Sequence, residues 1–290
     1  FMCGGVENMT RGPWVLSKTT KAFGNDSKLY DSSFGWRFIN PALEELYGTD
    51  SMGQTAENLV EKYKISREDQ DQFAHWSQQK AANAQKSGRL AKEITPVSIP
   101  QRKKEPILFE HDEFIKPNTT QEILSTLRTA FKKSEYGGTV TAGNASGLND
   151  GAAAMIVASD EACNKYNLTP LARIVSSAVV GVEPRIMGIG PVYASEKALK
   201  KAGLSLDQMD IIEINEAFAA QALACTRKMG LEDQDSRINP NGGAIAIGHP
   251  LGMTGTRILH SAAIELHEQN KQYALVTLCV GVGQGYATII

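Results

Sequence analysis

Apolar strands that alternate with helices in the second half of the chain constrain the fold more than any other feature of the sequence. Strands are predicted at 155–158, 173–180, 209–214 and 273–278, and helices at 194–202, 216–229 and 253–268. Because these strands are almost continuously apolar, both faces of their sheet must be covered, and the intervening helices are available to cover them. The sequence therefore predicts an α/β fold with helix-covered sheets.

Residues 17–148 depart from this pattern, since they are polar and irregular and contain long helices. Ser66 is placed to cap one helix, and Gly88 is placed to end it. A strand at 94–99 and an amphipathic helix at 119–131 are also predicted in this part. This change in hydrophobic pattern predicts that residues 17–148 form a region distinct from the α/β part.

Composition limits the partners that the chain is expected to have. Its 290 residues carry 30 basic and 32 acidic side chains, which disfavours a nucleic-acid-binding face. No apolar run reaches the roughly 20 residues that a membrane helix needs, so no membrane partner is expected. The four cysteines form no Cys-x-x-Cys pair, so no metal is expected and a reduced, cytoplasmic protein is the simplest interpretation.

Two glycine-dense segments each present one reactive side chain, His249 within 239–257 and Cys279 within 279–285. Glycine lets a backbone approach a ligand closely, and imidazole and thiol are groups that transfer protons or attack substrates near neutral pH. Asn215 follows a predicted strand, and ligands gather at the carboxyl ends of strands. The three residues together predict an active site in the final third of the chain.

Each of these residues also has a purely structural interpretation. Asn215 is a suitable helix N-cap, and His249 suits a tight turn before a helix whose N-terminus lowers the proton affinity of an imidazole. Cys279 could be a buried, inert thiol, which is the interpretation we give to Cys163 and Cys225. Glycine turns after a strand can also leave N–H groups free to bind an oxyanion. The occurrence of all these features together in the final third of the chain favours an active site over the structural interpretations.

Five segments resemble the signature blocks of the thiolases, the acetyl-CoA acyltransferases. They are residues 4–9, 138–151, 215–218 (Asn-Glu-Ala-Phe), 248–250 (Gly-His-Pro) and 279–283 (Cys-x-Gly-x-Gly). The resemblance runs from end to end and is closest to the 3-oxoadipyl-CoA (β-ketoadipyl-CoA) thiolases, through residues 34–41 and 181–191. It implies a layered αβαβα fold built from two similar halves, with an inserted loop domain at 17–148. Residues 1–16 and 149–168 would then belong to the N-terminal half, and residues 169–290 to the C-terminal half.

The resemblance implies CoA-dependent cleavage of a 3-oxoacyl-CoA, here 3-oxoadipyl-CoA, to acetyl-CoA and succinyl-CoA through an acyl-cysteine. His249 would activate the attacking thiol and, with Asn215 and a water, bind the thioester oxygen. Cys279 would be a second acid and base, and the N–H of Gly281 would line another oxyanion hole. CoA and acyl-CoA would be substrates, with no tightly bound cofactor, and the assembly would be a homodimer or homotetramer.

Further residues are implied as substrate contacts. Those expected along CoA are Ser146, Ala142, Phe131 and Lys116, and those expected at the acyl end are Met52, Met187 and Phe218. Arg37 and Arg185 are candidates for binding the carboxylate of the 3-oxoadipyl chain. Ser51 stands where acetoacetyl-CoA thiolases carry a histidine, which favours a different or longer acyl group. The alternative interpretation is a solvated surface for Lys116 and core packing for Met52, Met187 and Phe218.

The sequence departs from the family at the attacking cysteine. In thiolases it lies in a Cys-(Gly/Ser)-(Ser/Gly)-Gly block upstream of the block that matches 4–9, and Cys3 lies in the wrong block. We therefore expect the N-terminal half to be incomplete here or to reside on a separate chain, and this chain alone to be inactive. The alternatives are an acetoacetyl-CoA thiolase, a β-ketoacyl synthase, which Cys279 disfavours, and an acyl-CoA-binding protein without a nucleophile.

Overall fold

The computed structural model describes residues 1–290. Its strands are β1 (Met2–Glu7), β2 (Trp14–Leu16), β3 (Leu29–Asp31), β4 (Val97–Ile99), β5 (Ile107–Phe109), β6 (Gly151–Ile156), β7 (Ser176–Gly181), β8 (Ile211–Ile214), β9 (Ala274–Val280) and β10 (Gln284–Ile289). Its α-helices are α1 (Pro41–Tyr47), α2 (Met52–Tyr63), α3 (Arg67–Lys86), α4 (Gln121–Ser125), α5 (Asp160–Tyr166), α6 (Gly190–Ala202), α7 (Ala219–Lys228), α8 (Ala244–Ile247) and α9 (Leu251–Gln269). A 3-10 helix at Pro184–Ile189 precedes α6.

The main sheet has four strands in the order β7-β10-β9-β8, of which only β8 and β9 are parallel neighbours. Alternate side chains of β8 and β9 point to opposite faces, as the two-residue period of a strand requires. Ile212 and Leu275 pack on the side of α6, whereas Ile211 and Val276 pack on the side of α9. Both faces are therefore covered by helices, which confirms the predicted α/β class.

A second, two-stranded sheet lies on the other side of α9, where β1 and β6 pair antiparallel. Gly5 of β1 packs so closely on α9 that an added methyl group would overlap the carbonyl oxygen of Gly252. The glycines at 4 and 5 lie within β1, and they allow the strand to touch the helix. The order of sheet, helix and sheet agrees with the layered fold that the resemblance implies.

In the loop region the structure confirms one predicted helix and shortens another. The Ser66 side chain accepts from the backbone N–H of Asp69 at 3.0 Å and begins α3. The helix predicted at 119–131 is limited to α4, because the Arg67 guanidinium binds the carbonyl of Leu124 at 2.7 Å and Ala130 then pairs with the backbone of a neighbouring segment. The strand predicted at 94–99 is reduced to β4, which pairs with β5. No helix in the structure combines the length and apolar character needed to cross a membrane.

Candidate active site

Two of the predicted residues lie at the carboxyl ends of neighbouring parallel strands. Asn215 directly follows β8, and its backbone N–H donates to the carbonyl oxygen of Thr277 in β9 at 3.0 Å. Cys279 lies two residues further along β9, inside the strand rather than in the turn after it. Asn215 is not an N-cap, since α7 begins at Ala219 with Phe218 in the cap position. The structural interpretation of Asn215 is therefore wrong.

The imidazole of His249 reaches this edge of the sheet from the segment that precedes α9. Its Nε2 lies 3.2 Å from Asn215 Nδ2, and its Nδ1 lies 2.7 Å from the hydroxyl of Thr254. Both ring nitrogens are thus engaged, which fixes the plane and direction of the ring. The Asn215 Oδ1 atom is buried without a hydrogen-bond partner, so the side chain of Asn215 hydrogen-bonds to the protein only through its amide nitrogen.

Burial sets the protonation state of both reactive groups. Burial lowers the pKa of His249 from 6.5 to about 4, and the positive charge of Arg257 contributes to this shift as a second, smaller cause. Burial also raises the pKa of the Cys279 thiol to about 12. At neutral pH the site therefore presents an uncharged imidazole and a protonated thiol. The expected fall in the proton affinity of His249 is present, and burial and Arg257 are its causes.

A buried carboxylate that sequence reasoning did not single out positions the segment leading to His249. Glu216 accepts hydrogen bonds from the Ser77 hydroxyl at 2.6 Å, from Asn239 Nδ2 at 2.7 Å and from the Ile245 N–H at 3.2 Å. The amide of Asn239 also pairs with the backbone N–H and carbonyl of Ile214. One side chain therefore ties α3 and the segment 239–247 to the end of β8. The sequence signal that could have identified Glu216 is its position inside the Asn-Glu-Ala-Phe block.

The turn after Cys279 contains two glycines with different surroundings. Residues 281–283 join β9 to β10. A methyl group added to Gly281 would meet nothing within 4 Å, whereas one added to Gly283 would overlap the carbonyl oxygen of Val182. Gly283 also has φ +91°, a conformation that residues with side chains rarely adopt. Gly281 thus borders open space beside Cys279, whereas Gly283 serves the packing of the hairpin.

Several predicted substrate contacts form one strip, which consists of Ser146, Phe218, Phe131 and the start of α2 at Met52. The backbone N–H of Ser146 donates to the carbonyl of Ala217 at 3.0 Å, so its segment lies beside Phe218. The rings of Phe218 and Phe131 are 6.0 Å apart and almost perpendicular. The Phe131 ring packs against the backbone of Gly53, the residue after Met52. These four predicted positions therefore adjoin one another.

Lys116 extends the same strip beyond Ser146. Its ammonium group lies 4.7 Å from the centre of the Phe114 ring, and that ring packs on the backbone of Gly147, next to Ser146. Ala142 is an exposed residue of the same glycine-containing loop. The structure therefore places a cation beyond the aromatic part of the strip and leaves it accessible.

Asn149 links this strip to the histidine, and sequence reasoning missed it. Its side chain contacts the backbone of Gly147 on one side and of Gly248 on the other. Its Oδ1 atom is buried and has no hydrogen-bond partner. The loop that carries Ser146 therefore packs directly against the residue before His249.

Of the remaining predicted contacts, Arg185 lines a cavity of about 340 Å³ between α1 and the 3-10 helix before α6, whereas Met187 and Arg37 lie outside its lining. Met187 is buried in that 3-10 helix, which packs on α2, the helix that begins at Met52. Arg185 lines the cavity, and its Nε donates to the Asp50 carboxylate at 2.9 Å. Arg37 donates to the Gly35 carbonyl at 2.6 Å within an exposed loop.

Comparison with known proteins gives a consistent match. The model of the thiolase N-terminal domain matches residues 1–161, and that of the thiolase C-terminal domain matches residues 168–290. A β-ketoadipyl-CoA thiolase of Acinetobacter baylyi is 56% identical over 290 residues, which are 100% of this chain and 72% of that protein. The 3-oxoadipyl-CoA/3-oxo-5,6-dehydrosuberyl-CoA thiolase of Escherichia coli is 53% identical over the same share. Human mitochondrial 3-ketoacyl-CoA thiolase in complex with CoA superimposes with a TM-score of 0.88 at 46% identity, covering 99% of this chain and 69% of that one.

Proposed function

The chain belongs to the thiolase family, and from this we propose that it acts in the CoA-dependent cleavage of 3-oxoadipyl-CoA to acetyl-CoA and succinyl-CoA. The observation that carries the chemistry is the contact of His249 with Asn215 at the edge of the sheet where the neighbouring strand bears Cys279. The acyl chain is supported by relatives named as 3-oxoadipyl-CoA (β-ketoadipyl-CoA) thiolases, which are 50–56% identical.

In the first half of the reaction, a cysteine thiol loses its proton to His249 Nε2 and attacks the 3-oxo carbon of the substrate. The alkoxide that forms collapses, the bond between C2 and C3 breaks, and a succinyl thioester remains on the attacking cysteine. The electron pair of the broken bond passes to acetyl-CoA as an enolate, which takes the proton of Cys279. The high pKa of that thiol keeps the proton available at neutral pH.

In the second half, CoA attacks the succinyl thioester and gives its thiol proton to the Cys279 thiolate. The attacking cysteine departs and recovers its proton from the His249 imidazolium, so both proton carriers return to their first state. Asn215 Nδ2, with His249 and a water, stabilises the thioester oxygen of the acetyl-CoA part, and the Gly281 N–H stabilises the other oxyanion. Such donors are typically worth about 3 kcal/mol in the transition state.

The attacking thiol is a cysteine other than the four in this sequence. Cys3 is exposed on β1, and Cys163 lies in α5. Cys225 is buried in α7 with its thiol donating to the Gly188 carbonyl at 3.1 Å. A thiolate beside His249 would also stabilise the imidazolium, which burial of the ring disfavours.

Product analysis tests this proposal with two polypeptides. One contains these 290 residues alone, and the other joins to them a thiolase segment with the Cys-(Gly/Ser)-(Ser/Gly)-Gly block. With 3-oxoadipyl-CoA and CoA, we expect only the second to form acetyl-CoA and succinyl-CoA. Preference for acetoacetyl-CoA would support the acetoacetyl-CoA thiolase instead, and tight acyl-CoA binding without turnover by either polypeptide would support a binding protein.

We propose that CoA lies along the strip from Lys116 to Phe131. The Lys116 ammonium would bind near the nucleotide phosphates, and Ser146 and Ala142 would border the pantetheine. Phe218, Met52 and Met187 would line the acyl end. Lys116→Gln is expected to raise the KM for CoA with little effect on kcat, whereas Lys104→Gln, at an exposed lysine outside the strip, should change neither.

The carboxylate of the acyl chain needs a partner at the acyl end, and we propose Arg185 and Arg37 for it. Arg185 lies two residues before Met187 and uses only Nε in its contact with Asp50, so its two terminal nitrogens remain free. Arg185→Ala and Arg37→Ala should lower kcat/KM for 3-oxoadipyl-CoA more than for acetoacetyl-CoA. An unchanged preference in both variants would remove both assignments.

We also propose a homodimer or homotetramer that acts in the cytoplasm. All four cysteines are unpaired, which suits a reducing compartment. The hairpin of β2 and β3 exposes Trp14, Leu16 and Leu29, apolar side chains that an assembly would cover. Light scattering of the purified protein tests the assembly, and a monomer at micromolar concentration would contradict it.

A further inference from the structure

The hydroxyl of Thr254 lies between a ring nitrogen of His249 and a backbone carbonyl. Thr254 is fully buried in the first turn of α9. Its Oγ1 is 2.7 Å from His249 Nδ1 and 2.8 Å from the carbonyl oxygen of Pro250. No other side chain contacts the Nδ1 edge of the ring within hydrogen-bond distance.

The carbonyl determines where the protons lie. A carbonyl oxygen can only accept, so the single hydroxyl proton of Thr254 is donated to Pro250. The hydroxyl oxygen is then left as an acceptor towards His249, and Nδ1 must carry the ring proton. In a neutral imidazole with Nδ1–H, Nε2 holds a lone pair.

The other side of the ring is consistent with this assignment. Nε2 faces Asn215 Nδ2 at 3.2 Å, and an amide nitrogen can only donate, so Nε2 accepts. The opposite tautomer would place two donors against each other at Nε2 and leave Nδ1 without a proton. Both neighbours of the ring thus select the same tautomer.

We infer that Thr254 is a positioning residue that holds neutral His249 in the Nδ1–H tautomer, so that the lone pair of Nε2 is presented at the strand ends. The consequence for catalysis rests on the proposed function, in which Nε2 takes the proton of the attacking thiol. The tautomer itself is a property of the fold and is measurable without turnover.

The test compares Thr254→Val, which keeps the shape and removes the hydroxyl, with Thr254→Ser, which restores the hydroxyl. Long-range proton–nitrogen correlation spectra of protein with labelled histidine report the tautomer of each ring. His75 is an internal reference, because its Nδ1 lies 2.9 Å from the carbonyl of Thr119 and must also carry a proton. The environment of His75 does not involve Thr254, so its tautomer should not respond to the substitutions.

We expect Nδ1–H at His249 in the wild type and in Thr254→Ser, and a mixture of tautomers in Thr254→Val, with His75 unchanged in all three. Nε2–H in the wild type, or unchanged Nδ1–H in Thr254→Val, would overturn the inference. If Thr254→Val fails to fold, Thr254→Ala, which also removes the hydroxyl, takes its place with the same expected spectra.

A kinetic test separates this inference from the proposed function. In the polypeptide that carries the cysteine block, Thr254→Val should lower kcat by roughly 10- to 100-fold with little change in KM, and Thr254→Ser should restore it. The expected spectra together with an unchanged kcat would keep the tautomer assignment and contradict the role of Nε2 as the base.

Discussion

His249 is the residue whose charge state most strongly couples the site to the stability of the fold. Its pKa is lowered from 6.5 to about 4 by burial and by Arg257. Between these two pH values the unfolded chain binds a proton that the folded chain excludes, so folding becomes less favourable as the pH falls through this range. The loss from this one group is about 3 kcal/mol by pH 4.

Urea unfolding between pH 7 and pH 4 measures this effect. We expect the unfolding free energy of His249→Gln to fall less steeply with decreasing pH than that of the wild type. His267→Gln, which removes an exposed imidazole near the end of α9, should follow the wild type. Parallel curves for His249→Gln and the wild type would show that the imidazole is not kept neutral by the fold.

Gly281 and Gly283 provide a matched pair that separates a functional glycine from a structural one. A methyl group on Gly281 enters open space, and one on Gly283 overlaps the Val182 carbonyl at a positive φ. Gly281→Ala should keep the unfolding free energy within about 0.5 kcal/mol but lower kcat/KM, and Gly283→Ala should cost roughly 1–3 kcal/mol of stability. Because alanine keeps the backbone N–H, wild-type kinetics in Gly281→Ala would show that the open space at this residue does not hold the substrate.

At the scale of elements, α9 is the helix on which the two sheets meet, and its glycines have opposite roles. A methyl group on Gly252 would overlap the carbonyl oxygen of Val6 in β1, whereas one on Gly255 would meet nothing within 4 Å. Gly255→Ala should stabilise the protein by about 0.5–1 kcal/mol, because alanine loses less backbone entropy in a helix. Gly252→Ala should destabilise it by more than this, since β1 must move away.

Thermal unfolding of the two variants checks this difference. A stabilised Gly252→Ala would mean that β1 does not pack on the first turn of α9. In that case the close contact that positions the start of the helix, and with it His249, would be absent.

The elements that were predicted correctly are those whose local pattern and tertiary environment agree. β8 and α6 have the apolar patterns that their buried faces require, and both elements are present in the structure. β10 was not predicted, because its glycine and polar residues resemble a turn until β9 and β7 pair with it on both sides. α4 is shorter than predicted, because Arg67, more than 50 residues away, binds the carbonyls at its end. Interactions distant in sequence thus account for both errors.

At the scale of the whole molecule, the site is assembled from segments that are far apart in the chain. The sequence identified His249, Asn215 and Cys279 by residue type and by glycine context. It could not show that Glu216 joins Ser77 of α3 to the segment 239–247, nor that Thr254 faces the histidine. Those contacts depend on how three helices pack around the end of β8, which no local pattern encodes.

The central claim is that His249 and Cys279 handle protons for a third residue, which is the cysteine that carries the acyl group. Peptide mapping by mass spectrometry after a quenched reaction with 3-oxoadipyl-CoA in the absence of CoA tests it most directly. In the polypeptide that bears the cysteine block, we expect a succinyl thioester on the cysteine of that block and on none of the four cysteines in this sequence. A succinyl thioester on Cys279 would contradict the account, because that residue would then be the nucleophile.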